Sequence, residues 1–84
     1  MIERSIIVAS NLEARPAALF VQLAGKFKSS IKININNKHS NAKSIMGIIS
    51  LGIMQGDVAV LSAEGEDANE ALDELEKFLT SEKH

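Results

Sequence analysis

In Ile31-Lys32-Ile33-Asn34-Ile35-Asn36-Asn37-Lys38-His39-Ser40-Asn41, isoleucines at every second position alternate with polar residues, then two asparagines interrupt the run. Strict alternation over five residues is the pattern of a β-strand with one buried face, because successive side chains point to opposite sides of a sheet. Consecutive asparagines tolerate left-handed backbone, so Asn36-Asn37 predicts a tight turn, with Lys38 to Asn41 returning as a short strand that carries His39. A hairpin at the centre of the chain makes this part of the sheet antiparallel. Such sheets bury one face and leave the other to solvent.

Downstream comes Asn41-Ala42-Lys43-Ser44-Ile45-Met46-Gly47-Ile48-Ile49-Ser50-Leu51, which predicts a short helix beginning at Ser44 and ending near Gly52. Serine is a favoured N-cap because its hydroxyl accepts a hydrogen bond from a free backbone N–H of the first turn. The helix is apolar on more sides than burial needs. Ile45, Met46, Ile48, Ile49 and Leu51 are five apolar residues within seven positions, and at 100° per residue they spread around most of the circumference. Ile48 and Leu51 are expected in the core, and Ile45, Met46 and Ile49 at least partly outside. An exposed apolar patch of this kind marks a docking surface, and methionine suits an adaptable one.

The remaining elements follow by the same rules. After a break at Gly56-Asp57, Val58 to Glu64 sets Ala59, Leu61 and Ala63 against Val58, Val60 and Ser62, predicting a strand. Asp67-Ala68-Asn69-Glu70 has the spacing of a capping box, and Ala71, Leu72, Leu75, Phe78 and Leu79 form a helical stripe ahead of a charged tail at Ser81 to His84. Upstream, the β-branched run over residues 2 to 9 predicts a strand. A helix then starts near Ala14: Pro16 fits only a first turn, Phe20, Leu23, Ala24 and Phe27 recur at helical spacing, and Lys26 and Lys28 are expected at its C-terminal end, where the dipole favours cations. The order β-α-β-β-α-β-α predicts an α+β open-faced sandwich. Its four-stranded antiparallel sheet is covered on one face by three helices, in a single domain spanning residues 1–84.

Composition narrows the function. A net charge of −2 gives no positive field to draw the chain to nucleic acid or an anionic membrane. The absence of cysteine removes disulfides and thiolate metal ligands. Met1-Ile2-Glu3-Arg4 leads directly into the first strand with no leader-like apolar region, and no run approaches a membrane span, so a cytoplasmic protein is expected. His39 and His84 lack metal-site spacing, and no nucleophile–base set, carboxylate pair or phosphate-cradling loop stands out. The residues make no case for an enzyme or a cofactor.

Two segments, Leu12-Glu13-Ala14-Arg15-Pro16-Ala17 and Asn41-Ala42-Lys43-Ser44-Ile45-Met46-Gly47, together with the element order, resemble the HPr phosphocarrier family over essentially the whole chain. In that family a histidine ahead of Ala-Arg-Pro takes a phosphoryl group in the sugar phosphotransferase system, and the serine of Lys-Ser-hydrophobic-Met-Gly is phosphorylated by an ATP-dependent kinase. The family histidine falls on Glu13 and the glycine two residues ahead of it on Asn11. A carboxylate cannot form the labile phosphoramidate of a histidine carrier, and its charge repels an incoming phosphoryl donor. The serine falls on Ser44 and is retained. Histidine lost and serine kept resembles the catabolite repression HPr (Crh) branch, although that branch is expected to carry glutamine at position 13.

The resemblance implies a regulatory protein phosphorylated on Ser44 by the HPr kinase/phosphorylase. It would act as corepressor of a LacI-type catabolite control repressor, with Arg15, Ile45, Met46 and Ile49 meeting the partner. Arginine at position 15 suits an anionic contact, and Glu13 is compatible with a helix N-terminus. Two other readings stay open: a phosphoryl-transfer protein that uses Glu13 as an acyl-phosphate carrier, and a phosphorylation-independent binding module for a metabolic enzyme.

Overall fold

A computed structural model describes residues 1–81. The elements follow in the order β1 (Ile2–Ile7), α1 (Ala14–Ala24), β2 (Ser30–Ile35), β3 (Lys38–Asn41), α2 (Ile45–Leu51), β4 (Val58–Glu64) and α3 (Ala68–Thr80). The sheet has four strands in the order β1-β4-β2-β3, all antiparallel, with the helices packed on one face. The alternation in the sequence explains the layering. Ile31, Ile33 and Ile35 of β2 and Ala59, Leu61 and Ala63 of β4 are buried under the helices, while Lys32, Asn34, Glu3, Ser5 and His39 stand on the open face. Asn36 and Asn37 both take positive φ (52° and 66°), the backbone that a two-residue hairpin turn requires.

The helices close the core with Phe20 from α1, Ile48 from α2 and Leu72, Leu75 and Leu79 from α3, all fully buried. The Phe20 and Phe78 rings lie 5.9 Å apart and tilted by 59°, a favourable aromatic geometry that joins α1 to α3. At the sheet edge, Arg4 of β1 reaches Asp73 (2.6 Å) and Glu76 (3.0 Å) on α3. Its guanidinium is held charged chiefly by the Asp73 bond, then by Glu76, against some desolvation.

Three sequence expectations are corrected. The first strand ends at Ile7 rather than Ala9: the Val8 N–H donates to the Asp57 carbonyl and the Ala9 N–H to the Leu79 carbonyl, so both leave the ladder. Helix α1 stops at Ala24, with Lys26 and Phe27 donating to Leu23 and Ala24 in a tightened final turn. Lys26 and Lys28 therefore lie beyond it, and Phe27 packs on the core from outside the helix.

The capping box at Asp67 is not formed. The Asp67 carboxylate instead accepts from the backbone N–H groups of Lys28 (2.8 Å) and Ser29 (2.9 Å) and from the Ser29 hydroxyl (2.5 Å). Three donors outcompete the helix N-terminus for one carboxylate. They hold its pKa below the usual carboxylate range, with the Ser29 hydroxyl the largest cause and the Lys28 N–H next. Most of the charged tail expected at Ser81 to His84, including His84, lies outside the described residues.

Candidate functional site

Ser44 caps α2 as its residue type predicts. Its backbone is extended (φ −102°, ψ 112°) and its hydroxyl accepts from the Gly47 N–H at 3.2 Å, while the Ser44 carbonyl takes the first helical bond from Ile48 at 3.0 Å. The N-terminal approach is fixed by two neighbours. Asn41 Oδ1 accepts from the Lys43 N–H at 2.8 Å, and the Lys43 ammonium donates to the Phe27 carbonyl at 2.7 Å, tying the turn before Ser44 to the loop after α1. Gly47 suits the packing: a β-carbon there would overlap the Ser40 hydroxyl, which would have to turn away, and would sit tightly against the Ser40 β-carbon (3.0 Å) and the Ser44 hydroxyl (3.3 Å). Glycine lets helix and hairpin approach this closely without displacing Ser40.

The exposure of α2 divides as its helical wheel predicts. Ile48 is buried and Leu51 nearly so, whereas Ile45, Met46 and Ile49 are 37%, 73% and 46% exposed. Ser44 is half-buried at the same end of the helix as Ile45 and Met46. A phosphoryl group on its hydroxyl would add about −1.5 to −2 charge at free first-turn N–H groups. No described acidic residue lies in that first turn to oppose it.

Glu13 occupies the N-cap position of α1, yet its side chain makes no capping bond. Its carbonyl accepts from Ala17 at 2.8 Å, so the backbone starts the helix while the carboxylate remains exposed. Arg15, two residues on, is also exposed, and among the described residues neither charge takes part in a hydrogen bond or ion pair. The fold brings Glu13 and Ile49, 36 positions apart in the sequence, onto one cleft of about 380 Å³, also lined by the apolar side chains of Leu12, Ile53 and Met54. Two contacts hold that wall in place: Leu12 N–H donates to the Ile53 carbonyl (3.0 Å), and Gln55 N–H donates to Asn11 Oδ1 (2.7 Å).

Of the predicted site residues, Glu13 and Ile49 therefore share the cleft. Ile45, Met46 and Arg15 stand on the surface outside its lining. Met54, 58% exposed, is a member of this face that sequence reasoning missed. It lies in the irregular segment after α2, where no periodicity assigns a face; its only signal was an unaccounted methionine between Ile53 and the Gly56 break. His39 is an exposed β3 residue on the open sheet face, remote from the cleft in the layering. Among the described residues no cluster of metal-ligating side chains is present, and no helix is long and apolar enough to cross a membrane.

Comparison with known proteins places this geometry in a family. The family description "PTS HPr component phosphorylation site" matches residues 2–81. The HPr-like protein Crh of Halalkalibacterium halodurans is 46% identical over 84 residues, spanning 98% of this chain and 100% of the relative. The HPr-like protein Crh of Bacillus subtilis is 47% identical over 73 residues, spanning 87% of this chain and 86% of its own. The crystal structure of HPr-C-His from Thermoanaerobacter tengcongensis superposes with a TM-score of 0.90 at 52% identity, covering 98% of this chain and 94% of that one. With the β-α-β-β-α-β-α order, the open antiparallel sheet and the match along residues 2–81, the chain belongs to the HPr family.

Proposed function

We propose that this chain is a non-catalytic regulatory protein of the Crh type, phosphorylated on Ser44 by the HPr kinase/phosphorylase and acting in its phosphorylated form as corepressor of a LacI-type catabolite control repressor. The observation that carries the reading is the retained Ser44 segment beside Glu13 at the position of the family histidine. The histidine carrier's chemistry needs an imidazole nitrogen as nucleophile, and a carboxylate there repels the donor. Ser44 needs only an accessible hydroxyl and a place for the product.

Its surroundings support both requirements. The hydroxyl is half-buried and engaged in one long cap bond, and phosphate oxygens can take over that bond from the Gly47 N–H. Modification then changes surface charge without dismantling the fold. Ile45, Met46 and Ile49 offer the apolar half of a binding face beside the new charge, and Arg15 offers an anion contact. Recognition of phosphoserine together with an adjoining apolar patch makes the repressor's affinity conditional on the kinase. The protein works in the cytoplasm, where kinase, ATP and repressor meet.

The test is incubation of the chain with the HPr kinase/phosphorylase and ATP, read by intact mass. One phosphoryl group is expected on the wild type and none on Ser44→Ala, and the phosphorylated form is expected to bind the repressor more tightly than the unmodified one. No gain of mass, or the same gain in Ser44→Ala, overturns the reading.

A further inference from the structure

We infer that the cleft between the start of α1 and the end of α2 receives an arginine side chain from the protein partner, with Glu13 as the residue that selects it. The inference rests on this face being a docking surface, as proposed above, and adds the chemistry that fills it. The cleft, about 380 Å³, is at the lower end of volumes that hold a small ligand. That is room for one long side chain. Its walls are Leu12, Ile49, Ile53 and Met54, and Glu13 is the one ionisable residue in its lining.

The state of Glu13 fixes the charge of the occupant. Its carboxylate stands exposed, makes no cap bond to α1, and takes no hydrogen bond or ion pair from any described residue. Asn11, the other polar side chain of the lining, has its oxygen already committed to the Gln55 N–H. An exposed acidic residue in the lining of an apolar cleft is complementary to a side chain with an aliphatic stem and a cationic head. Arginine fits better than lysine. Its guanidinium is less strongly hydrated, its planar fork matches a carboxylate with two parallel bonds, and its stem can lie along Ile49 and Met54. Arginine is also enriched in protein interfaces, whereas lysine is depleted. The same carboxylate disfavours a partner that presents an acidic or phosphorylated group to this cleft.

The test uses the full, unphosphorylated chain without kinase or repressor, so that its outcome is independent of whether Ser44 is modified. n-Butylguanidinium is titrated into isotopically labelled protein and backbone amide shifts are followed, with the neutral isostere n-butylurea and the Glu13→Gln variant as controls. Saturable shifts are expected at Leu12, Glu13, Ile49, Ile53 and Met54, with a dissociation constant on the order of 10 mM for so small a probe. Affinity should fall about three- to fivefold in Glu13→Gln or with n-butylurea, as for a solvent-exposed ion pair, and should weaken with added salt.

An amide spectrum of Glu13→Gln unchanged away from residues 11–15 verifies that the variant is folded. Equal binding of n-butylurea would make the cleft a plain apolar site and overturn the inference. So would equal binding to Glu13→Gln, no saturable binding, or shifts centred elsewhere. Concentration-dependent shifts at the same amides without any probe would assign the cleft to a second copy of the chain, and would overturn it as well.

Discussion

Replacing Ser44 by alanine separates the structural from the regulatory role of that hydroxyl, and its cost can be worked from the cap. The substitution removes one hydrogen bond, from the Gly47 N–H, whose 3.2 Å length is longer than the usual 2.9–3.0 Å. Loss of a serine N-cap costs about 1 kcal/mol, and a long, half-exposed bond belongs toward the lower part of that range. Helix α2 has seven residues, too few to stand alone, so it is held mainly by the burial of Ile48 and Leu51. Those contacts survive the change.

For 84 residues the unfolding entropy near 60 °C is about 0.18 kcal/mol per kelvin, so ~1 kcal/mol lowers Tm by ~6 °C. The total stability expected for this length is about 4–13 kcal/mol, which leaves Ser44→Ala folded at room temperature. Ser44→Asp should recover the loss, because aspartate caps as well as serine and its charge favours the helix N-terminus by about 0.3–1 kcal/mol. With no tryptophan or tyrosine in the chain, the assay is thermal melting followed by far-UV circular dichroism. An unchanged Tm in Ser44→Ala would refute the cap. A loss above ~3 kcal/mol, or an aspartate variant no better than alanine, would show that something other than this bond holds Ser44. With the expected values, a failure of Ser44→Ala to bind a repressor cannot be ascribed to unfolding.

Three further outcomes are expected. Gly47→Ala gains about 1 kcal/mol of helix propensity but drives a methyl into Ser40, an overlap worth about 1–3 kcal/mol, so urea denaturation should show net destabilisation that shrinks when Ser40→Gly is added. Phe20→Ala empties a fully buried site against Phe78 and should cost about 3–5 kcal/mol, read as a lower urea midpoint. Because the Asp67 carboxyl is held below its unfolded value, its contribution is present above the unfolded carboxylate pKa of ~3.9 and is lost as pH falls through the lower folded value. Asp67→Asn should therefore be less stable than wild type at neutral pH, with a shallower loss on acidification; parallel pH profiles of the urea midpoint would contradict the three-bond arrangement at Lys28 and Ser29.

Much of this protein is local and so was legible in its residues. Alternation in β2 assigned its buried face and in β4 separated the two faces, because a strand's period is two whatever lies beside it. Asn36-Asn37 announced the turn through a backbone conformation that few other residues accept. The angular spread of five apolar residues on one short helix already led to Ile45, Met46 and Ile49 being expected at least partly outside, and the segments at residues 12–17 and 41–47 with the element order pointed to the family.

Tertiary structure decided what periodicity cannot encode, namely which surfaces become neighbours. It inserted β4 between β1 and β2, a pairing set by the shared core rather than by sequence proximity. It turned Asp67 from its own helix to donors 38 and 39 positions away, because three assembled hydrogen bonds outweigh a local cap. It also brought Glu13 into the lining of the same cleft as Ile49 and Met54. Residue types determined a sheet-based fold with a serine-capped, apolar helix; only the packing of α1 against α2 placed an acidic residue in one cleft with that apolar surface, because their meeting depends on contacts closed over the whole chain.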